Sequence, residues 1–325
     1  METLSTTEEE VREAATMLSH TRQRPCLLMV SNEICVGPLC GALNGHHGNE
    51  LDVILVSCGG DPCATYTAVR ELRRRFGHLT VYVPLLAKSA ATLLCLAADE
   101  LVLGDFGELG PLDAQRDQKR NGDSPRRRSC LECARVLEQL SKSAVATFKD
   151  ILRAVQQESG MRTLDAGGIA AEFTGKLYAP LYARIDPDTF AEDVEGEALV
   201  MHYAERLLRR YRPTLLSSGG EEALKRLVRA YPSHCFVIDR EELQELGLPH
   251  RLPDEEESVV LDRVARALIG RSSAPDDIIE FIEPEQACSA LKTAGTEPLE
   301  GHPISPGRND GANISASSPV QRGRS

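Results

Sequence analysis

Apolar positions change their period several times along the chain, and each change marks an element. From Thr7 to Arg22 they recur at helical spacing behind acidic residues, which predicts an amphipathic helix with negative charge in its first turn. Pro25 to Val30 is a short apolar run and predicts a strand. Leu51 to Ser57 is rich in β-branched residues and predicts a buried strand, ended by Gly59-Gly60 and followed by a helix from Cys63 to Phe76. After Gly77 come a strand from Leu79 to Val83, then Pro84, an apolar helix from Ser89 to Ala98 and a strand from Leu101 to Leu103. Alternation of strand and helix with short connections predicts an α/β fold with a mostly parallel sheet covered by helices. Right-handed crossovers then gather the turns that leave the strand ends on one edge, which is where ligands usually sit.

The second half reads differently. Asp117 to Pro125 is polar, contains Gly and Pro, and predicts a flexible loop. Residues 129–231 predict several long helices, broken around Gly167-Gly168 and Pro180 to Pro187, which together make a helical insertion or cap. His234 to Ile238 predicts a closing strand, leading into a helix from Arg240 to Leu246 that Gly247 terminates. Beyond Gly270 the periodicity disappears and Ser, Pro, Gly and Ala dominate, so the tail to Ser325 is expected to be disordered. Within it, Asp276 to Glu285 is an acidic-apolar island, taken as a solvated spacer in preference to a docking segment. The predicted organisation is an N-terminal helix (1–23), an α/β core (24–116), the helical insertion (117–230), closing elements of the core (231–269) and the tail (270–325).

Composition narrows the function classes. The chain has 325 residues, 42% hydrophobic and 26% charged, the balance of an ordinary globular protein. Trp is absent and aromatics are 4%, so the core is aliphatic and base-stacking platforms for single-stranded nucleic acid are not expected. A net charge of -12 repels phosphate backbones and anionic lipid, which argues against a nucleic-acid partner. Arg73-Arg74-Arg75 and Arg126-Arg127-Arg128 are read as solvated faces. The 10 cysteines are scattered and no cationic, apolar leader pattern precedes them, which fits reduced thiols in the cytoplasm. Cys130 and Cys133 form a lone CxxC, and His46-His47 near Cys35 and Cys40 has no ligand periodicity, so no metal site is expected. The most apolar stretch, Leu79 to Leu103, is interrupted by Lys88, Ser89, Asp99 and Glu100, so no membrane span is expected.

Two turns carry candidate chemistry. Ser89 opens an apolar helix directly after a strand, where the helix dipole and free N–H groups stabilise negative charge on an attacking oxygen. The small residues Ala90 and Ala91 permit close approach of a substrate backbone, and the Ala90 N–H is placed to face a developing oxyanion. The plain alternative is that Ser89 is an N-cap. In Ser57-Cys58-Gly59-Gly60-Asp61 the glycines permit positive φ and leave the Gly60 N–H free as a second oxyanion donor, although a turn without chemistry has the same composition.

Taken in order, GGD, KSAAT, ADELVLG and ELGPLD resemble the Clp-fold serine peptidases of the Clp/crotonase superfamily, and most closely the serine dehydrogenase proteinase family. The resemblance covers roughly residues 24–115 and resumes at 231–250. It implies Ser89 as nucleophile, Asp113 of Gly110-Pro111-Leu112-Asp113 as the orienting acid, His234 of Tyr231-Pro232-Ser233-His234 as base, and an oxyanion hole at Gly60 and Ala90. Gly59 and Ala91 would line the substrate. The implied activity is hydrolysis of a peptide or protein substrate through an acyl-enzyme, by a homo-oligomer that needs no cofactor. Two departures stand out: Ser57-Cys58 replaces the usual His/Ser-Thr-Pro before the glycines, and Ala90-Ala91 stands where Gly is common. The alternatives are a Ser-Lys dyad using Lys142, Lys149 or Lys176, since Lys88 should point away, a non-catalytic scaffold of the same fold, and a crotonase-type acyl-CoA enzyme. GGD lacks the G-x-G-x-x-G spacing, so dehydrogenase chemistry is not inferred.

Overall fold

The computed structural model describes residues 2–113, 115–118, 126–269 and 277–284. The first part of the chain alternates as expected: α1 (Glu2–Arg22), β1 (Cys26–Ser31), α2 (Val36–Ala42), β2 (Gly48–Ser57), α3 (Pro62–Arg75), β3 (Phe76–Val83), β4 (Leu86–Ala87), α4 (Ala90–Leu96), β5 (Glu100–Leu103) and β6 (Glu108–Leu109). A hairpin of β7 (Gln115–Gln118) and β8 (Arg126–Ser129) leads to α5 (Glu132–Ser159), α6 (Thr163–Tyr182) and α7 (Pro187–Tyr211). The short α8 (Pro213–Leu215) runs through a π-helical turn at Leu216–Gly220 into α9 (Glu221–Arg229). Then follow α10 (Arg240–Glu245), α11 (Glu255–Leu268) and β9 (Ile278–Ile282).

The main sheet has seven strands, in the order β5-β3-β2-β1-β9, with β4 pairing the end of β2 and β6 pairing β4. Every pair is parallel except β1 with β9. Side chains alternate across it as a strand's period of two requires. On one face Leu27, Met29, Val53, Leu55, Leu79, Val81 and Val83 join the larger core under α3, α4, α7 and α9. On the other, Cys26, Leu28, Val30, Ile54, Val56 and Tyr82 pack against Val11, Ala14 and Leu18 of α1 and Val260, Leu261 and Val264 of α11. Helices on both faces explain why the strands read as continuous apolar runs.

Several expectations are corrected. His234 to Ile238 is a turn followed by a single bridge from Ile238 to Leu109, with no strand. Ser233 is the reason: its hydroxyl accepts the Cys235 N–H and its carbonyl accepts the Phe236 N–H, a local closure that competes with extended pairing. Helix α6 runs straight through Gly167-Gly168, and the break falls instead at Gly160, whose φ of 65° caps α5. Asp117 belongs to β7, and residues 119–125 of the expected loop lie outside the described residues.

The acidic-apolar island is the largest correction. Ile278–Ile282 forms an antiparallel edge strand beside β1, with Ile278 buried in one core and Ile279 and Phe281 against the other. Phe281 stacks on His46 with centroids 3.9 Å apart, and Glu280 pairs with Arg12 at 2.7 Å. This segment is therefore ordered sheet, while residues 270–276 and 285–325 of the expected tail lie outside the described residues. Among the described residues, no helix is long and apolar enough to cross a membrane.

Candidate active site

Strands β2 and β4 end side by side, and their exits are tied together. Ser57 pairs with Ala87, its carbonyl accepts the Lys88 N–H at 2.9 Å, and its hydroxyl accepts the Gly59 N–H at 3.1 Å. Both glycines that follow take positive φ, 112° at Gly59 and 105° at Gly60. Gly59 is irreplaceable by packing as well: a Cβ there would lie 2.5 Å from the Lys88 carbonyl oxygen and 2.9 Å from the Ser89 Cβ. Asp61 completes the turn by capping α3, accepting the N–H groups of Cys63 and Ala64 at 3.1 and 3.2 Å.

Against this turn stands Ser89, with φ 53° and ψ -124°. Such a conformation costs a non-glycine residue on the order of 1–3 kcal/mol, and it persists only where the surroundings enforce it. Here they do. Thr92 Oγ1 lies 3.0 Å from the Ala87 carbonyl and 2.8 Å from that of Gly110, clamping both sides of the sharp strand-to-helix turn. Ser89 is not an N-cap in the hydrogen-bonding sense: its hydroxyl donates to the carbonyl of Asp113 at 3.1 Å instead of to α4. The N–H groups of Gly60 and Ala90 have no hydrogen-bond partner among the described residues. The Ala91 N–H donates to Lys88, and its methyl is fully buried in the larger core.

Asp113 is 2% exposed, and among the described residues neither of its carboxylate oxygens has a hydrogen-bond partner. Across from it, His234 Nδ1 lies 3.6 Å from Asp113 Oδ2, likewise without a hydrogen bond. A buried carboxylate without a hydrogen bond is costly, and a hydrogen bond from this neighbouring imidazole would lower the cost. Ser89, Asp113 and His234 thus converge, although Ser89 contacts the Asp113 backbone and makes no hydrogen bond to His234.

His234 is held on the connection between α9 and α10. Arg135 of α5 donates to the carbonyls of Tyr231 and Pro232, and Tyr231 stacks on Phe236 at 4.6 Å. Leu109 and Ile238 exchange backbone hydrogen bonds of 2.9 and 3.1 Å. Lys88 braces the same loop: its ammonium reaches Glu108 Oε1 at 2.6 Å and the carbonyls of Leu109 and Phe236 at 3.1 and 3.2 Å. Gly110 makes room for that stem, since a Cβ there would meet Lys88 Cδ at 2.6 Å. This is the functional role that sequence reading missed, although the Lys88-Ser89 and Gly110-Pro111 pairs were its signal. Lys88 does point away from Ser89, and the dyad candidates Lys142, Lys149 and Lys176 are exposed, two of them paired with Glu138 and Glu172 on their own helices.

One further group has an altered acidity. Burial pushes the Cys58 thiol above its usual range, with the neighbouring Lys88 opposing the shift and Cys235 adding to it. Compared with protein-family models, curated proteins and solved structures, the chain matches none.

Proposed function

We propose that the chain is a Clp-fold serine peptidase, hydrolysing peptide bonds of a peptide or protein substrate through an acyl-enzyme on Ser89. The observation that carries this reading is the backbone of Ser89, strained at φ 53° against Gly59 and beside the buried Asp113 and its half-buried neighbour His234. Strain of this kind is a liability in a helix cap and an asset in a nucleophile that must be presented to a substrate.

The chemistry follows from the groups present. Rotation of the Ser89 side chain moves Oγ from the Asp113 carbonyl to the imidazole of His234, which takes its proton as Oγ attacks the scissile carbonyl. Asp113 balances the imidazolium and fixes its tautomer through Nδ1. The unpartnered N–H groups of Gly60 and Ala90 receive the oxyanion, which is worth about 3–4 kcal/mol per donor. His234 then protonates the leaving amine, and a water deprotonated by the same imidazole releases the acyl group. No cofactor enters these steps, and homo-oligomeric assembly belongs to the same reading by resemblance.

A second reading, a non-catalytic scaffold of this fold, is favoured by one observation: the Ser89 hydroxyl donates to the Asp113 carbonyl and leaves His234 without it. A fluorophosphonate probe separates the two. The peptidase reading expects one adduct, mapped by mass spectrometry to Ser89, absent in Ser89→Ala and strongly reduced in His234→Ala. Folded protein with no adduct at Ser89 would leave the scaffold reading standing.

A further inference from the structure

Helices α5 and α6 form an antiparallel hairpin whose register is fixed by three hydrogen bonds, Ser141 with Tyr182, Thr147 with Tyr178 and Gln156 with Thr163, each 2.9 Å long. Both helices are described throughout, and α5 has no buried residue along its 28. Its Leu137, Leu140, Ala144, Phe148, Ile151 and Val155 recur at the spacing of a bundle seam, yet each is only half-buried. On α6, Ala166, Ala170 and Thr174 are buried. Ile169, Phe173 and Leu177 follow them by three residues and so form a stripe alongside the buried one, which Leu181 extends. These four large apolar side chains are between 43% and 57% exposed.

Among the described residues α6 packs chiefly on α5, so the hairpin leaves a continuous apolar face uncovered. We infer that a second copy of this chain covers it: two hairpins meet face to face across a two-fold axis and complete a four-helix bundle. The inference rests on the hairpin and not on the peptidase reading.

Charge, symmetry and size select this occupant. The chain carries a net charge of -12, so two copies repel over most of their surface. The seam residues of both helices are uncharged, and the charges that flank them are already matched within their own helices: Glu138 with Lys142 at 2.6 Å, Asp150 with Arg153 at 3.4 Å and Glu172 with Lys176 at 2.7 Å. The face therefore brings no like charges together and offers a charged partner little to recognise. A hairpin turned about a two-fold axis presents the same stripe to itself, as an isologous contact requires. With 20 residues α6 is about 30 Å long, and two helices side by side are about 20 Å wide, so each copy offers about 600 Å². Together the two copies bury about 1,200 Å², the size at which specific, stable interfaces begin.

The test is size exclusion of the full chain with light scattering, at tens of micromolar. The expected mass is at least twice that of one chain. Phe173→Asp should halve it with the helical circular dichroism unchanged, because that side chain is already 57% exposed within its own chain. Leu177→Asp, 51% exposed, repeats the measurement should Phe173→Asp fold poorly. A mixture of isotopically light and heavy chains, treated with a lysine-reactive cross-linker, should yield light–heavy links among the Lys142, Lys149 and Lys176 peptides, at least about tenfold fewer in either variant. A wild-type chain of single mass, a mass that neither folded variant changes, or hairpin links that run instead to residues 285–325 of the same chain would overturn the inference. Fluorophosphonate labelling of Ser89 is a separate readout and judges the peptidase reading alone.

Discussion

Two clusters of polar side chains lie at opposite ends of the same parallel strands. Where the strands begin, Asp52 pairs in register with Cys26 on one side and Thr80 on the other, and Thr80 with Glu100. Above them, Glu257 of α11 is 1% exposed yet saturated: it accepts from Arg22 at 2.8 Å, Tyr82 at 2.7 Å, Arg251 at 2.6 and 2.8 Å and the Asp254 N–H at 3.0 Å. Where the strands end, Asp113 is buried almost as deeply with neither oxygen hydrogen-bonded among the described residues, and Ser89 beside it is strained. A buried carboxylate surrounded by donors fastens α1, α11 and the sheet together. Asp113, with no hydrogen-bond donor among the described residues and an imidazole at 3.6 Å, fastens nothing comparable.

Where the strands begin, the two buried carboxyls shift in opposite directions. Burial by itself would raise Glu257, but Arg251, the Asp254 N–H and Tyr82 outweigh it and hold the carboxyl at about 2. In Asp52 burial wins over Arg22, and the carboxyl is raised. A depressed carboxyl contributes stability that is present above its unfolded value and lost as pH falls through the folded one. The raised Asp52 runs in the opposite sense and offsets part of that loss.

The largest expected effect is at the unsatisfied end. Asp113→Asn should reduce peptide hydrolysis by roughly 10⁴-fold, while the thermal midpoint holds, because among the described residues neither carboxylate oxygen has a hydrogen bond to lose. Glu257→Ala should do the reverse, costing about 3–5 kcal/mol of stability in denaturant titrations by removing the buried carboxylate that Arg22, Tyr82 and Arg251 share, with activity per folded molecule unchanged. Glu257→Gln sharpens this: between about pH 4.5 and 2 the wild-type chain should lose stability that the variant, already without that charge, does not.

Smaller effects separate positioning from chemistry. Lys88→Met should lower kcat about tenfold with little change in KM, because the His234 loop loses its brace, and Lys88→Arg should restore part of it. Ser89→Gly should abolish labelling by fluorophosphonate and yet raise stability by about 1 kcal/mol, since glycine adopts φ 53° without strain. A destabilised Ser89→Gly would show that the serine serves the fold.

Much of this was legible because local chemistry and global fold agree. The runs at Leu51 to Ser57 and Leu79 to Val83 are buried on both faces, so period and β-branching sufficed, and Gly59-Gly60 marked the turn that needs positive φ. What the sequence could not declare depends on distant partners. Ile278–Ile282 looks like a polar tail until β1 offers an edge and His46 and Phe76 a surface for Phe281. Ser233 turns a strand-like run into a bend through its own hydrogen bonds. The strain at Ser89, the brace at Lys88 and the setting of the Asp113 carboxylate involve residues up to 148 positions apart, and only the brace leaves a trace in sequence, in the Lys88-Ser89 and Gly110-Pro111 pairs.

The most direct test of the central claim is the second-order rate at which a fluorophosphonate modifies Ser89, measured in the wild-type chain and in Asp113→Asn at equal folded concentration. If the Asp113 carboxylate activates Ser89 through His234, the variant should react at least about 100-fold more slowly with an undiminished thermal midpoint. Equal rates, or a slower rate explained by a lower midpoint, would contradict it.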